Sequence, residues 1–144
     1  DEVRSIAKWF GLSREVVEKK VFPGPGFAIR VIGEVTEERV SLVRKSTEIV
    51  ERVLSTTPEI SKIWMAFTIL TPIFNLGVVG DERRENKYAL VIRIVESKNS
   101  MTAEYSKRIY PYLEEISTEI TNSLEIGRVV YDITNKPPAT IEWE

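Results

Sequence analysis

The sequence Tyr88-Ala89-Leu90-Val91-Ile92-Arg93-Ile94-Val95 decides the fold. Its side chains alternate between two faces, and both faces are apolar except at Arg93, a pattern typical of a strand that is covered on both sides. A charged side chain at such a position is rarely buried without a partner. Arg93 therefore needs a carboxylate, a phosphate or a subunit boundary beside it.

A second apolar run precedes this strand. Residues 63–73 are interrupted only by Thr68, Thr71 and Pro72, so they predict another strand that is covered on both faces. Residues 76–80 either extend it or form a further short strand. The charged residues 80–87 predict a hairpin connection to the strand that follows.

Two helices accompany these strands. Thr36 is a good N-cap, and Glu37 and Glu38 suit the positive end of the helix dipole, so a helix begins here and carries one wide apolar stripe. A second helix is predicted over residues 111–124, where Gly127 stands at the expected C-cap position.

Strands are also predicted at both ends of this region. Residues 27–35 alternate between two faces, and residues 128–133 form the last strand before the C-terminal tail, defined here as residues 136–144. Arg30 lies among mainly apolar neighbours of the first strand. It therefore either caps the sheet edge or faces a ligand.

The order of elements is strand, helix, two or three strands, helix, strand. This order predicts an α+β fold, with a small mixed or antiparallel sheet and two main helices on one face. The other face of the central strands is apolar too and needs a cover. Since no further segment is left for it, a second copy of the chain is the economical cover, and we expect a homodimer through that face.

The N-terminal residues have the pattern of two short helices that do not belong to the α+β region. Residues 1–10 place apolar side chains on one helix face, Gly11 is placed to end that helix, and a second short helix is expected over residues 13–19. Helices this short are not stable alone. We interpret them as the remnant of a preceding domain or as an N-terminal appendage.

A proline- and glycine-rich segment, residues 21–27, follows these helices. Its prolines exclude a helix or a central strand, so the segment is a rigid linker. Gly24 and Gly26 allow close approach of a ligand or of another backbone, and Gly26 can adopt a positive φ. The spacing does not match a phosphate-binding P-loop. Taken alone, the residues favour a domain junction over an anion-binding loop.

The C-terminal tail is unusual because its two prolines stiffen the backbone and hold the next residues extended. Two interpretations are open. The tail either packs on its own core with Trp143 as the plug, or closes a binding site with Lys136 and Glu142 as its polar groups. Composition alone favours the plug.

Composition restricts the function. Of 144 residues, 42% are hydrophobic and 29% are charged, which describes a globular protein that neither is disordered nor spans a membrane. The chain has no histidine and no cysteine, so catalysis would need Lys, Arg, Asp or Glu. A net charge of −2 argues against nonspecific nucleic-acid binding. No secretory signal is visible.

Five short motifs occur in a fixed order along the chain. They are Phe22-Pro23-Gly24-Pro25-Gly26 with Arg30, Gly77-Val78-Val79-Gly80-Asp81, Met101-Thr102-Ala103, Arg128-Val129-Val130-Tyr131-Asp132 and Lys136-Pro137-Pro138-Ala139-Thr140-Ile141-Glu142-Trp143-Glu144. Together they resemble the C-terminal part of the GMP synthase family over essentially the whole chain. The resemblance implies that residues 1–21 end an ATP pyrophosphatase domain and that residues 22–144 form the dimerisation and XMP-binding domain.

The resemblance also implies the chemistry. The family adenylates XMP with ATP and Mg²⁺, and ammonia from a glutaminase domain or subunit then displaces AMP to give GMP. The family's ATP-binding Ser-Gly-Gly-Val-Asp-Ser loop and glutaminase Cys and His do not occur in this sequence. ATP, Mg²⁺ and the catalytic residues are therefore expected outside this chain, which would be inactive alone and cytoplasmic, with no metal site of its own.

By motif position, the resemblance assigns the XMP contacts to Gly24, Gly26, Arg128, Lys136, Ile141 and Glu142. Arg30 and Arg93 are two further candidates. Arginine and lysine suit a phosphate, a glutamate accepts from ribose hydroxyls or purine N–H groups, and the Ile141 N–H is free to donate.

The chain departs from the family pattern at three places. Trp64-Met65 stands where relatives often have Ser-Gln, Asn99-Ser100 stands where Asp-Phe is common, and Phe27 replaces a usual Leu, which is a conservative change. Peripheral XMP contacts therefore differ from those of the family. The alternative function is a purely structural homodimerisation module without a ligand site.

Overall fold

The computed structural model describes residues 2–17, 23–79, 83–98 and 100–143. The helices are α1 (Glu2–Trp9), α2 (Arg14–Val17), α3 (Glu37–Ser55) and α4 (Leu113–Ser123), and the strands are β1 (Met65–Val79), β2 (Arg83–Glu96), β3 (Glu104–Tyr105) and β4 (Ile126–Tyr131). Short 3-10 helices occupy Gly26–Arg30, Pro58–Lys62 and Tyr110–Tyr112. The α+β class is confirmed. Predictions for residues 18–22, for the hairpin tip at 80–82, for Asn99 and for Glu144 lie outside the described residues.

The sheet is mixed. β1 and β2 pair antiparallel from Met65 opposite Val95 to Leu70 opposite Leu90, and after an irregularity the pairing resumes at Phe74 opposite Tyr88. On its other side β2 pairs with the two-residue β3 and, in parallel, with β4. Residues 83–87 belong to β2, so the prediction that they form the hairpin connection was wrong. Cross-strand pairing continues through these charged residues to Arg83, which lies opposite Val79.

Two helices cover one face of this sheet, as predicted. The Oγ1 atom of Thr36 accepts a hydrogen bond from the Arg39 N–H at 3.3 Å, which confirms the N-cap of α3. α3 and α4 bury their apolar faces against Leu90, Ile92 and Ile94 of β2 in one continuous core.

The other face of the sheet is covered by the chain itself. Phe67, Ile69 and Val91 are buried there in a second cluster, with Ala103 and with Ile141 of the C-terminal tail packed against it. The premise that no segment is left to cover this face was therefore wrong, because the tail returns across it. The homodimer stays a prediction, and it no longer depends on the centre of this face.

The predicted strand over residues 27–35 was wrong. Gly26–Arg30 is a 3-10 helix, and the only sheet contact described for this segment is a single bridge between Val31 and Leu70. The reason is local: Pro25 has φ −67° and ψ −6°, and the Gly26 N–H bonds to the Pro23 carbonyl at 2.9 Å, so a tight turn has already begun. The alternation of apolar residues is too short to override that turn.

The predicted C-cap at Gly127 was also wrong. The C-cap of α4 is Leu124, which has the extended φ of −129° and ψ of 163°, and Gly127 already lies in β4. Strand pairing sets this helix end, since the Glu125 carbonyl accepts from the Tyr88 N–H at 3.1 Å directly after α4.

The two N-terminal helices are present as predicted, as far as they are described. α1 buries none of its residues: its apolar side chains Val3 and Ile6 are exposed, as is Phe10 directly after it. Their assignment to a preceding domain stays a prediction. None of the helices in the described ranges combines the length and the apolar composition needed to cross a membrane.

Candidate functional site

The C-terminal tail begins where the chain leaves β4. Lys136 forms an antiparallel bridge with Ala103, with backbone hydrogen bonds of 2.8 and 3.0 Å, and the chain then turns so that the Ala139 N–H bonds to the Asn135 carbonyl at 3.0 Å. The peptide bonds before Pro137 and Pro138 are cis. The prediction that the prolines hold the following residues extended was wrong, because both prolines lie in a turn and the chain bends again at residues 139, 141 and 142.

Arg93 is fully buried beneath the tail. Its Nη1 atom donates to Asp132 Oδ2 at 2.5 Å and to the Thr134 carbonyl at 3.1 Å. Its Nε donates to the Ile141 carbonyl at 2.8 Å, and its Nη2 to the Thr140 carbonyl at 2.7 Å. The position of Arg93 predicts a carboxylate, a phosphate or a subunit boundary beside it. Of these three alternatives, the structure provides the carboxylate.

Asp132 is the residue that sequence reasoning missed. It accepts hydrogen bonds from the Thr134 N–H at 2.8 Å and from the Trp143 indole at 2.9 Å, in addition to Arg93. Burial disfavours its ionised form, but the bonds from Thr134 and Trp143 and the charge of Arg93 outweigh burial, so the pKa of Asp132 lies below its ordinary value. The available signal was the need of Arg93 for a carboxylate, together with an acidic residue at the end of the last strand.

Arg30 forms a second buried ion pair with the tail. Its Nε and Nη2 atoms donate to Oε2 and Oε1 of Glu142 at 3.2 and 3.0 Å, which is the two-point geometry of an arginine and a carboxylate. The guanidinium also lies 3.9 Å from the centre of the Phe67 ring. Arg30 is therefore oriented by the protein itself, and Glu142 is held against the segment that follows the glycine loop.

The apolar anchor of the tail is Ile141, which packs on the second cluster, and not Trp143. Trp143 is 44% exposed and is held through its indole N–H. The prediction that Trp143 is the plug was wrong because the polar edge of the ring finds a carboxylate at the surface, which leaves the neighbouring Ile141 to fill the cluster.

Lys136 lines a groove of about 860 Å³ beside the tail. Its Nζ atom donates to the Ser100 carbonyl at 3.0 Å. The other charged residues that line this groove are Lys62, Lys98, Glu96 and Glu104. Three lysines and two glutamates leave this groove with a formal net charge of +1, which favours an anionic ligand group only slightly.

The remaining candidates lie at the edges of this arrangement. Gly26 has the positive φ of +68° that was predicted, and a Cβ at Gly24 would meet no atom within 4 Å. Arg128 is exposed on β4, four residues before Asp132 and therefore about 13 Å from it along the strand. The structure thus brings together Arg30, Arg93, Ile141 and Glu142, places Lys136 at an adjoining groove, and leaves Arg128 apart from them.

The sequence was compared with known proteins. The model of the family described as GMP synthase C terminal domain matches residues 51–143, which is more than half of the chain.

The chain belongs to the GMP synthase C-terminal domain family.

Relatives of the family agree along the entire chain. A glutamine-hydrolyzing GMP synthase of Caldanaerobacter subterraneus subsp. tengcongensis is 48% identical over 145 aligned residues, covering 100% of this chain and 28% of the relative. Those of Nostoc punctiforme and Prochlorococcus marinus are 47% and 46% identical, each with 27% of its length covered. The chain therefore spans little more than a quarter of the relatives it matches.

Proposed function

We propose that this chain is the XMP-binding and dimerisation part of a glutamine-hydrolysing GMP synthase. The observation that carries the proposal is the double attachment of the C-terminal tail. Two buried arginines, Arg30 and Arg93, hold the tail on the sheet, and the tail bears Lys136 and Glu142. A tail that only packs does not require a lysine at the wall of an open groove, where Lys136 lies.

The roles of the tail residues follow from their chemistry. Lys136 contributes a point charge to the phosphate of XMP, at a groove where the charges of Lys62 and Lys98 are balanced by Glu96 and Glu104. Glu142 accepts from ribose hydroxyls or purine N–H groups. Its two oxygens have room for further donors beside Arg30, because an ionised carboxylate offers about four acceptor positions. The Ile141 N–H is a further donor to the ligand, and Arg128 is a further phosphate partner.

The rest of the reaction is assigned to the remainder of the ligase. XMP is adenylated with ATP and Mg²⁺, and ammonia produced by the glutaminase domain or subunit completes the conversion to GMP in the cytoplasm. Among the described residues, no group of three or more acidic, cysteine or histidine side chains is placed to hold a metal ion. The Mg²⁺ of the reaction is therefore assigned, with ATP, to the remainder of the ligase.

Dimerisation is assigned to the β4 side of the second sheet face. Val130 is exposed there, Ile133 is exposed just beyond the end of β4, and β4 has β2 as its only strand neighbour among the described residues. An edge strand flanked by exposed apolar side chains is suited to association with a second copy.

Calorimetric titration of XMP into the complete ligase tests the proposal. Lys136→Ala should weaken XMP binding about tenfold or more, because a charge-assisted contact to phosphate is lost. Lys45→Ala, which removes a lysine from the exposed side of α3, is the matched control and should leave the affinity unchanged. Wild-type affinity in the Lys136→Ala variant would contradict the assignment.

The second candidate function is a purely structural module. The packing of Ile141 on the second cluster and its hydrogen bond from Arg93 favour it, because both contacts hold the tail without a ligand. Removal of residues 136–144 separates the two functions. If the shortened ligase keeps its XMP affinity, the tail only packs. If XMP binding is lost while the sedimentation behaviour is kept, the tail forms part of the ligand site.

A further inference from the structure

Arg93 contacts the chain at both ends of a single loop. Its acceptors Asp132 and Thr134 lie at the exit of β4, and its acceptors Thr140 and Ile141 lie at the start of the final residues. The residues between these two pairs include Lys136. One buried side chain therefore closes the loop that carries the proposed phosphate-binding lysine.

The geometry of this closure depends on arginine. A guanidinium presents five N–H donors in one rigid plane, and Arg93 uses its Nε and both Nη atoms toward the four acceptors. A lysine at this position offers three donors from a single atom on a flexible stem, so it cannot serve both ends of the loop in the same way.

Asp132 extends the closure to the last described residue. The same Oδ2 atom that accepts from Arg93 also accepts from the Trp143 indole at 2.9 Å. Arg93 and Asp132 together therefore hold the Ile141 carbonyl and the Trp143 indole, which flank Glu142, while the Glu142 side chain is held separately by Arg30.

We propose that Arg93 is a positioning residue for XMP: it does not touch the nucleotide, but sets the path of residues 132–143 so that Lys136, Ile141 and Glu142 face the ligand together. The full burial of Arg93 and the occupation of its donors by protein acceptors support an indirect role over direct contact of Arg93 with XMP. This inference rests on the proposed function, since it requires the tail to bind XMP.

Two variants of the complete ligase, Arg93→Met and Arg93→Lys, test the role. Arg93→Met should raise the Kd for XMP about tenfold or more, since several ligand contacts are displaced at once, and leave the KM for ATP unchanged. Arg93→Lys keeps the charge and the pairing with Asp132 but loses the planar arrangement of five N–H donors. Its Kd should therefore lie between those of the wild type and of Arg93→Met.

Loss of stability alone must be separated from loss of position. Thr68→Val removes a buried hydroxyl on the helix-covered face, away from the tail, and is the matched control for destabilisation. It should lower the Tm but leave the Kd for XMP unchanged below the unfolding transition. If Arg93→Met behaves like Thr68→Val, lowering the Tm without changing the Kd, Arg93 has only a structural role and the inference is overturned.

A spectroscopic measurement reports the tail directly. This chain contributes three tryptophans to the ligase, so Trp9→Phe and Trp64→Phe, together with replacement of every tryptophan elsewhere in the ligase, leave Trp143 as the reporter. In this background Arg93→Met should shift the emission of Trp143 to longer wavelength and increase its quenching by acrylamide, while the far-UV circular dichroism stays unchanged. An unaltered emission would show that the tail keeps its place without Arg93.

Different results would disprove the XMP site and the positioning role of Arg93. If the wild-type ligase and Lys136→Ala bind XMP equally well, the proposed site is wrong and the role of Arg93 falls with it. If Lys136→Ala weakens binding and Arg93→Met does not, the site stands and the positioning role is refuted.

Discussion

Arg30 and Glu142 are 112 positions apart in sequence and form a two-point ion pair, with Nε to Oε2 at 3.2 Å and Nη2 to Oε1 at 3.0 Å. Arg30 ends the 3-10 helix that follows the glycine loop, and Glu142 lies near the end of the C-terminal tail. This pair is therefore a direct connection between the two segments that the family resemblance assigns to XMP.

Replacing only one residue of this ion pair should lower the free energy of unfolding. Arg30 is 3% exposed and Glu142 is 17% exposed, so removal of one partner leaves a charge largely cut off from water. Arg30→Met should lower the free energy of unfolding by about 3 kcal/mol. The double variant Arg30→Met with Glu142→Leu should lose less than the sum of the two single changes, because neither charge is then left alone. Urea unfolding of the four proteins measures this coupling, and strictly additive losses would show that the pair contributes nothing specific.

The depressed pKa of Asp132 predicts a pH dependence of stability. Because the folded-state pKa is the lower one, the stabilising contribution of Asp132 is fully present above its unfolded-state pKa of about 3.9 and is lost as the pH falls through the folded-state value. The difference in free energy of unfolding between the wild type and Asp132→Asn should therefore be constant above about pH 5 and shrink toward lower pH.

Urea unfolding at a series of pH values measures this difference. Glu48→Gln makes the same chemical change at an exposed position of α3, and at neutral pH it should alter stability less than Asp132→Asn. A difference for Asp132→Asn that grows as the pH falls would have the wrong sign and would contradict the shift.

The elements that the sequence predicts well are those whose pattern is long and locally consistent. The alternation around Arg93 and the stripe of α3 each extend over enough residues to outweigh local exceptions, and both are found as predicted. The strand predicted over residues 27–35 is absent because the turn at Pro25 and Gly26 sets a helical backbone conformation before the alternation begins. Gly127 fails because strand pairing, and not the local C-cap signal, ends α4.

The candidate site is predictable only in part, for a different reason. The requirement of Arg93 for a carboxylate follows from its place in an apolar strand, but the identity of Asp132 depends on parallel pairing between β2 and β4. The Arg30–Glu142 pair depends on where the tail crosses the sheet. Such long-range placement leaves no local periodicity, and the motifs located these segments without revealing the contacts between them.

A cluster of buried hydroxyl groups joins α3 to β1 and should contribute to stability. Thr68 Oγ1 lies 2.6 Å from Ser46 Oγ and 3.0 Å from Thr47 Oγ1, and it also donates to the Val43 carbonyl at 3.2 Å. Thr68→Val keeps the shape but leaves these partners short of a hydrogen bond, which should cost about 1–3 kcal/mol. Thermal or urea unfolding measures the loss. A neutral effect would mean that the two remaining hydroxyls satisfy each other.

Association through the β4 edge is the last prediction. Val130 is exposed on the second sheet face and lies opposite the buried Val91, so Val130→Lys places a charge at the proposed boundary without entering the core. The variant should convert a dimer to a monomer, because a desolvated, unpaired lysine is costly at an interface. Sedimentation equilibrium at micromolar concentration measures the mass. Thr118→Lys adds the same charge to the exposed side of α4 and should leave the dimer intact. A wild-type protein that sediments as a monomer would refute dimerisation, and a dimeric Val130→Lys variant would move the boundary away from β4.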